Sequence, residues 1–220
     1  MIGRRRQGGP PNPSKLAKRE AKVVDTVRRS VRAARVREHP TGGGTLLTEP
    51  VLVFFREDQD LRVFDQAANQ LGVARSFWDK EAKLAGYGIY GMGDEVPTVA
   101  INWRTPVSGH RDYTVLDSER VIAALSPQRI RFTSGLAIMA GRERIGYLSP
   151  WGSRWGHVND DEGREVARIK DIGWARCDVA DIEPSLAGPL RGVAVVASII
   201  GAQDPVTQRI AQHSSFGGGQ

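Results

Sequence analysis

Residues 189–202, PLRGVAVVASIIGA, form the most apolar run in the chain. Residues 193–202 show no polar stripe, with Arg191 just before them and Gln203, Asp204 and Pro205 just after. A helix that spans a bilayer needs about 20 predominantly apolar residues, whereas runs of about 10–14 are typical of buried core helices. Pro189 suits a first helical turn, where its missing N–H is not required, and Pro205 cannot continue one. A helix that is apolar on all sides has no face to offer water and must be enclosed. The rest of the chain therefore has to supply a container.

Residues 45–179 read as short strands separated by turn residues: LLTEPVLVFF, LRVFD, LGVARSF, TVAINW, DYTVLD, RVIAAL, RIRFTSGLAIM, RIGYLS, RWGHVND, REVARI and WARCDV. Regular short strands with few helical periods predict an antiparallel sandwich or barrel. A loose repeat runs through them. VFDQAANQLGVA (63–74), VLDSERVIAAL (115–125), IMAGRERIGYL (138–148) and VNDDEGREVARI (158–169) each end one strand, turn on Asp, Gly or Asn, and open another. Asp65, Asp117 and Asp160 suit hairpin turns, because an aspartate side chain can accept a hydrogen bond from the backbone two residues on. Gly141 and Gly163 supply positions where positive φ is easy. Asn69, Gly72, Ala124, Gly146 and Ala167 are expected to keep parts of an inner face small, leaving room along a barrel axis for the enclosed helix. Trp78, Trp103, Trp151, Trp155 and Trp174 fall in or beside strands and are expected in the core or at the barrel rim.

The repeated hairpins, of the form V-x-D-x-x-G-x-x-φ-G/A-x-φ, and the closing DIEPSLAGPLRGVAVVASIIGA together resemble the tubby C-terminal superfamily, in its phospholipid scramblase and LURP-one-related branch. The resemblance covers roughly residues 45–204. It implies a mainly β fold, a closed antiparallel barrel of about twelve strands around a central hydrophobic C-terminal helix. Eukaryotic tubby domains bind phosphoinositides through basic side chains on the barrel, and no such cluster can be matched to positions here. Scramblases are associated with an acidic, calcium-linked segment before the final helix. Asp178, Asp181 and Glu183, in CDVADIEPS, occupy that place without the dense oxygen set and turn glycine of an EF-hand-type loop. The cysteine cluster and proline-rich arm of scramblases have no counterpart, so the resemblance supports the fold rather than lipid scrambling.

No catalytic constellation emerges, and neither an enzyme, a cofactor nor a metal site is expected. Cys177 is the one cysteine, which excludes an intrachain disulfide, and it reads as a small buried hydrophobe. GYGIYG (86–91) matches G-x-G-x-x-G literally but is followed by MGDEVPT, which cannot open a helix, so it is expected to be a loop. TGGGT (41–45) lacks the Gly-Lys-Ser/Thr of a phosphate loop and reads as a hinge. NDDEG (159–163) reads as a solvated turn, and His39, His110, His157 and His213 share no ligand spacing. In SGHRD (108–112) a serine, a histidine and an aspartate are neighbours in sequence, which is not the geometry of a triad. The opening MIGRRRQGGPPNPSK has charge with no apolar stretch behind it, unlike a secretory signal. The expected location is cytoplasmic, with peripheral association at a membrane as an option.

The charge is unevenly spread. Twelve of the 31 Lys and Arg and three of the 25 acids fall in residues 1–40, a balance of +9 that leaves −3 for the rest. Ser14 could cap a helix running to about Glu38. Ala17, Ala21, Val24, Val27, Val31 and Ala34 recur at helical spacing as a narrow apolar stripe, and Arg28, Arg29, Arg32 and Arg35 crowd the other faces. The expected division is a basic arm with a glycine hinge (1–44), a barrel with an internal helix (45–204) and a tail (205–220). The expected function is non-enzymatic binding of a polyanion, either an anionic phospholipid surface or nucleic acid, through residues 1–40. Arg28, Arg29, Arg32, Arg35, Lys18, Arg19 and Lys22 are the candidate contacts. The alternatives are an assembly protein whose arm meets partner subunits, and a helix docked on the barrel by its apolar stripe.

Overall fold

The computed structural model describes residues 13–39, 43–57, 60–104, 112–130, 133–149 and 155–203. A first helix, α1 (Pro13–Ala34), precedes twelve strands: β1 (Val51–Glu57), β2 (Asp60–Phe64), β3 (Gln70–Asp79), β4 (Leu84–Gly91), β5 (Val99–Arg104), β6 (Tyr113–Asp117), β7 (Arg120–Ile130), β8 (Thr133–Ala140), β9 (Glu143–Ser149), β10 (Trp155–Asp160), β11 (Glu165–Ile172) and β12 (Cys177–Ile182). A 3-10 turn (Gly173–Ala175) joins β11 to β12, and α2 (Gly188–Gln203) follows. Each strand pairs antiparallel with its sequence neighbours, and β1 pairs with β12 to close the barrel. The mainly β closed barrel around a C-terminal helix is the architecture anticipated from the apolar run and the hairpins.

Helix α2 lies in the core. Val193, Ala194, Val195 and Val196 are fully buried, and Ala197, Ser198, Ile199 and Ile200 nearly so. Around them pack alternate residues of the strands, among them Leu52 and Phe54 of β1, Ile89 of β4, Ile101 of β5, Leu125 of β7 and Ile138 of β8. Room for the helix comes from small inward side chains: Ala74, Ala123, Ala167 and Ala180 all belong to this core. At Gly146 an added Cβ would lie 2.2 Å from Asn159 O and 3.2 Å from a Leu190 methyl of α2. Ala167 and Gly146 therefore have the expected role, while Asn69 and Ala124 are exposed. Register decides the second case, since Ala123 and Leu125 take the inward positions of β7 and Ala124 points out.

Strands β1 and β12 are apolar on both faces, and two helices are the reason. Inward, Leu52, Phe54, Ala180 and Ile182 meet the α2 core; outward, Val51, Val53, Cys177 and Val179 meet Val23, Val27 and Ala34 of α1. The N-terminal helix is thus docked on the outside of the barrel. Its buried stripe is Val23, Val27, Ser30 and Ala34, with Val24 and Val31 half-buried and Ala17 and Ala21 exposed. The helix stops at Ala34 rather than near Glu38, because Arg35 turns left-handed at φ 52°. The Lys170 ammonium of β11 donates to the Ala33 carbonyl at 3.0 Å, satisfying one of the terminal acceptors.

Eleven of the twelve strands overlap the segments named from sequence. The exception is β4, whose GYGIYG was expected to be a loop. Glycine normally weakens a strand, but here neighbouring side chains occupy the space left by the missing Cβ. Phe77, directly paired with Gly86, lays its ring where a Cβ on that glycine would sit, 2.4 Å from the Cζ atom. Tyr87 then stacks at 6.3 Å on Trp103, which meets Tyr113 edge-on at 5.9 Å, an aromatic ladder across β4, β5 and β6. Trp103 is in the core as expected, whereas Trp78 and Trp174 are 53% and 63% exposed. SGHRD falls almost wholly, and Trp151 and the tail 205–220 entirely, outside the described residues.

The turn residues behave largely as expected. Asp65 accepts from Asn69 N at 2.8 Å, Asp160 accepts from Arg164 N at 2.8 Å, and Gly141 and Gly163 have φ of 61° and 88°. Asp117 sits at the β6–β7 hairpin opposite Arg120.

Two substitutions separate the two helices. Val195→Asp places an unpaired charge at a fully buried site and should cost more than about 4 kcal/mol, abolishing the cooperative melt. Val27→Asp should leave the barrel's near-UV circular dichroism intact while exposing residues 13–39 to protease.

Candidate polyanion-binding surface

Docking divides the faces of α1 by chemistry. With valines and Ser30 turned to the barrel, the basic side chains sort into flanks and crest. On the flanks, Arg19 pairs with Glu57, and Arg28 reaches the Ala67 carbonyl at 3.4 and 3.5 Å. Glu20 belongs to this seam as well. It accepts from Arg62 at 2.8 and 3.0 Å, and that hydrogen bond holds its carboxyl below the usual range. Arg62 in turn lies over the Phe64 ring and bonds Gln70, so one guanidinium ties α1, β2 and β3 together.

The crest is different. Lys18, Lys22, Arg32 and Arg35 are exposed, and among the described residues no hydrogen bond or ion pair engages their charged groups. Arg29 pairs with Asp25 one turn earlier at 2.8 Å, and both are about half exposed, so the pair is weakly held. Its guanidinium also stands 5.7 Å over the ring of Trp174, which projects from the 3-10 turn. All seven candidate contacts are exposed; Arg19 and Arg28 also reach the barrel, Arg29 pairs within the helix, and Lys18, Lys22, Arg32 and Arg35 have no ion pair among the described residues. Trp174 and Lys170 join the surface from the other end of the chain. Burial and the Arg35 charge together lower the Lys170 ammonium. No sequence spacing links either residue to α1; the barrel's closure brings them there.

After Arg35 the chain is clamped rather than loose. Arg37 N and Nε meet Asp181 at 3.0 and 3.2 Å, Arg37 Nη1 meets Glu183 at 3.0 Å, and His39 Nε2 lies 2.8 Å from Asp181. The glycine stretch expected as a hinge is described from Gly43 on, where Gly44 N donates to Glu49 at 3.2 Å. The acidic segment before α2 is thereby accounted for: Asp181 and Glu183 hold the strap, while Asp178 faces Arg56 at 3.3 Å. The three acids do not converge, and no group of three metal-ligating side chains occurs among the described residues. Cys177 is buried, which pushes its thiol up to about 11 and leaves it protonated at neutral pH.

No family model matches the sequence, and no curated protein matches it. Among solved structures, the X-ray structure of a protein from Arabidopsis thaliana aligns with a TM-score of 0.48 at 15% identity, covering 75% of this chain and 99% of that one. A likeness at that level bears on neither family nor function. No helix among the described residues is long and apolar enough to cross a membrane.

Asp178, which shares the inner face of the β1–β12 pair with Phe54, gives a pH test of the barrel's stability. It is 6% exposed, and burial pushes its carboxyl up from 3.8 to about 6, against the pull of Arg56. Between those values the native chain holds a proton that the unfolded chain has lost, so this group's contribution is complete below pH 4 and declines as pH rises to 6. The difference corresponds to at most about 3 kcal/mol. Urea unfolding of wild type and Asp178→Asn across that window should show the wild type losing stability relative to the variant as pH rises.

Proposed function

We propose that the crest of α1 binds a phosphate-bearing polyanion, and that an anionic phospholipid surface suits it best. One observation carries the reading: the apolar stripe is used up in docking, which leaves Lys18, Lys22, Arg29 and Arg32 on the solvent side of α1, with Arg35 just past its end and an exposed tryptophan beside Arg29. A helix laid along the barrel wall presents its charges in a shallow array, matched to a surface rather than to a groove. Each Lys or Arg near an anionic membrane contributes about 1 kcal/mol, so five would give about 5 kcal/mol at most. Trp174 adds an amphipathic ring suited to the headgroup level. The half-sunk position of α1 disfavours entry into a duplex groove, since its inner side is already covered by β1 and β12.

The proposal extends to kinship. A closed twelve-stranded barrel around an apolar C-terminal helix supports reading the chain as a tubby-like barrel of the scramblase and LURP-one-related branch. The placement of the basic residues on an external helix is then this chain's own arrangement. No acid–base pair or nucleophile is assigned a catalytic role, and the reading is of a binding module.

The test compares the full chain with its Lys18→Glu, Lys22→Glu, Arg32→Glu triple variant by co-sedimentation with vesicles. Vesicles rich in phosphatidylserine should bind the wild type and release it as salt rises, and the variant should bind at least tenfold more weakly. Neutral phosphatidylcholine vesicles should bind neither. Equal binding by both proteins would move the site off α1. Binding to RNA or duplex DNA in place of vesicles would assign the same cations to nucleic acid, and binding to none of them would favour the assembly role.

A further inference from the structure

We propose that the cleft at the N-terminal end of α2 binds a small amphipathic monocarboxylate, its head on the Arg191 guanidinium and its apolar body along Leu47, Ile122 and Leu186. The cleft has a volume of about 750 Å³, within the range of small-molecule sites. Arg191 lines it and is 3% exposed. Its Nη2 donates to the Glu49 carbonyl, but Nε and Nη1, both covered, have no hydrogen-bond partner among the described residues. A buried guanidinium with unmade hydrogen bonds is costly, and a carboxylate is the group that fits those donors.

The surroundings favour an incoming anion. The first turn of α2 carries no acidic side chain, so the positive end of a 16-residue helix is not neutralised locally. Glu49 is the acid whose charge acts on Arg191, but its carboxylate is hydrogen-bonded elsewhere. One oxygen accepts from Gly44 N, the other is unpaired, and no ion pair joins the carboxylate to Arg191. Burial and the neighbouring Asp65 push the Glu49 carboxyl up while Gly44 N and the Arg191 charge pull it down, so Glu49 acts on Arg191 through space without bonding to its guanidinium. At the rim, Arg120 and Asp117 face each other across a hairpin and offset one another. One buried cation and a balanced rim suit a single negative charge better than a doubly charged phosphate. Leu47, Ile122 and Leu186 are half-buried hydrophobics packed at the edge of the α2 core, and they give an acyl or aryl body a wall. This site lies apart from the α1 crest, and neither reading depends on the other.

Calorimetric titration of the full chain with octanoate, octanol and inorganic phosphate tests the proposal. Octanoate should bind saturably at one site, and octanol and phosphate at least tenfold more weakly, because each lacks half of the match. Arg191→Met should lose octanoate binding. Ala187→Trp, at an exposed position lining the cleft, should fill it and weaken octanoate at least tenfold with the fold intact. If Arg191→Met does not fold, the octanol comparison and Ala187→Trp carry the test. Absence of saturable octanoate binding, equal binding of octanol or of phosphate, or unchanged binding by Ala187→Trp would overturn the assignment.

Discussion

Helix α2 has no side that tolerates water, and the dimensions of the barrel follow from enclosing it. A barrel of about eight strands has an interior just wide enough for its own side chains, whereas an α-helix with side chains is about 10–12 Å across. Twelve strands widen the barrel, and Ala74, Ala123, Ala167 and Ala180 with Gly146 on the inner wall do the rest. The helix then replaces the inner layers of side chains that a smaller barrel would need. Both gain from it: the strands bury one face without a second sheet, and the apolar run meets no solvent. Removing either partner leaves the other with an uncovered hydrophobic surface.

The closing seam shows how the outer helix completes this plan. Where β1 meets β12, the outward residues are Val51, Val53, Cys177 and Val179, which would form an exposed apolar patch on a bare barrel. Helix α1 covers that patch with Val23, Val27 and Ala34, and the strap at Arg37 and His39 fastens its exit to Asp181. The N-terminal segment is a structural cover as well as a carrier of charge. That dual use explains why its basic residues divide: those on the flanks meet Glu57 and Ala67, whereas on the crest only Arg29 has partners among the described residues, Asp25 and the Trp174 ring.

Much of this was legible in residue order, and the parts that were not share a cause. Local grammar identifies the hairpins, because an aspartate or a glycine with positive φ acts on its own neighbours, as Asp65, Asp160, Gly141 and Gly163 do. The enclosed helix was legible because its length and lack of a polar face admit few solutions. Strand β4 was not, since Gly86 is compatible with a strand through Phe77, a partner across the sheet. The docking stripe of α1 was displaced toward Val23 and Ser30 for a similar reason. Spacing alone favours any row of small apolar residues, and the shape of the β1–β12 wall chooses among them. Trp174, Lys170 and the unpaired donors of Arg191 depend wholly on contacts between distant parts of the chain.

The central claim is that α2 and the barrel form one cooperative unit, each stable only around the other. Native-state hydrogen exchange measures this directly, since amides protected by global folding exchange only when the whole structure opens. The amides of residues 193–200 should be among the slowest in the chain, with an opening free energy equal to that of the β1 and β12 amides. Both sets should respond identically to low concentrations of denaturant. Exchange of the α2 amides through a separate opening of lower free energy, with the strand amides still protected, would contradict the account.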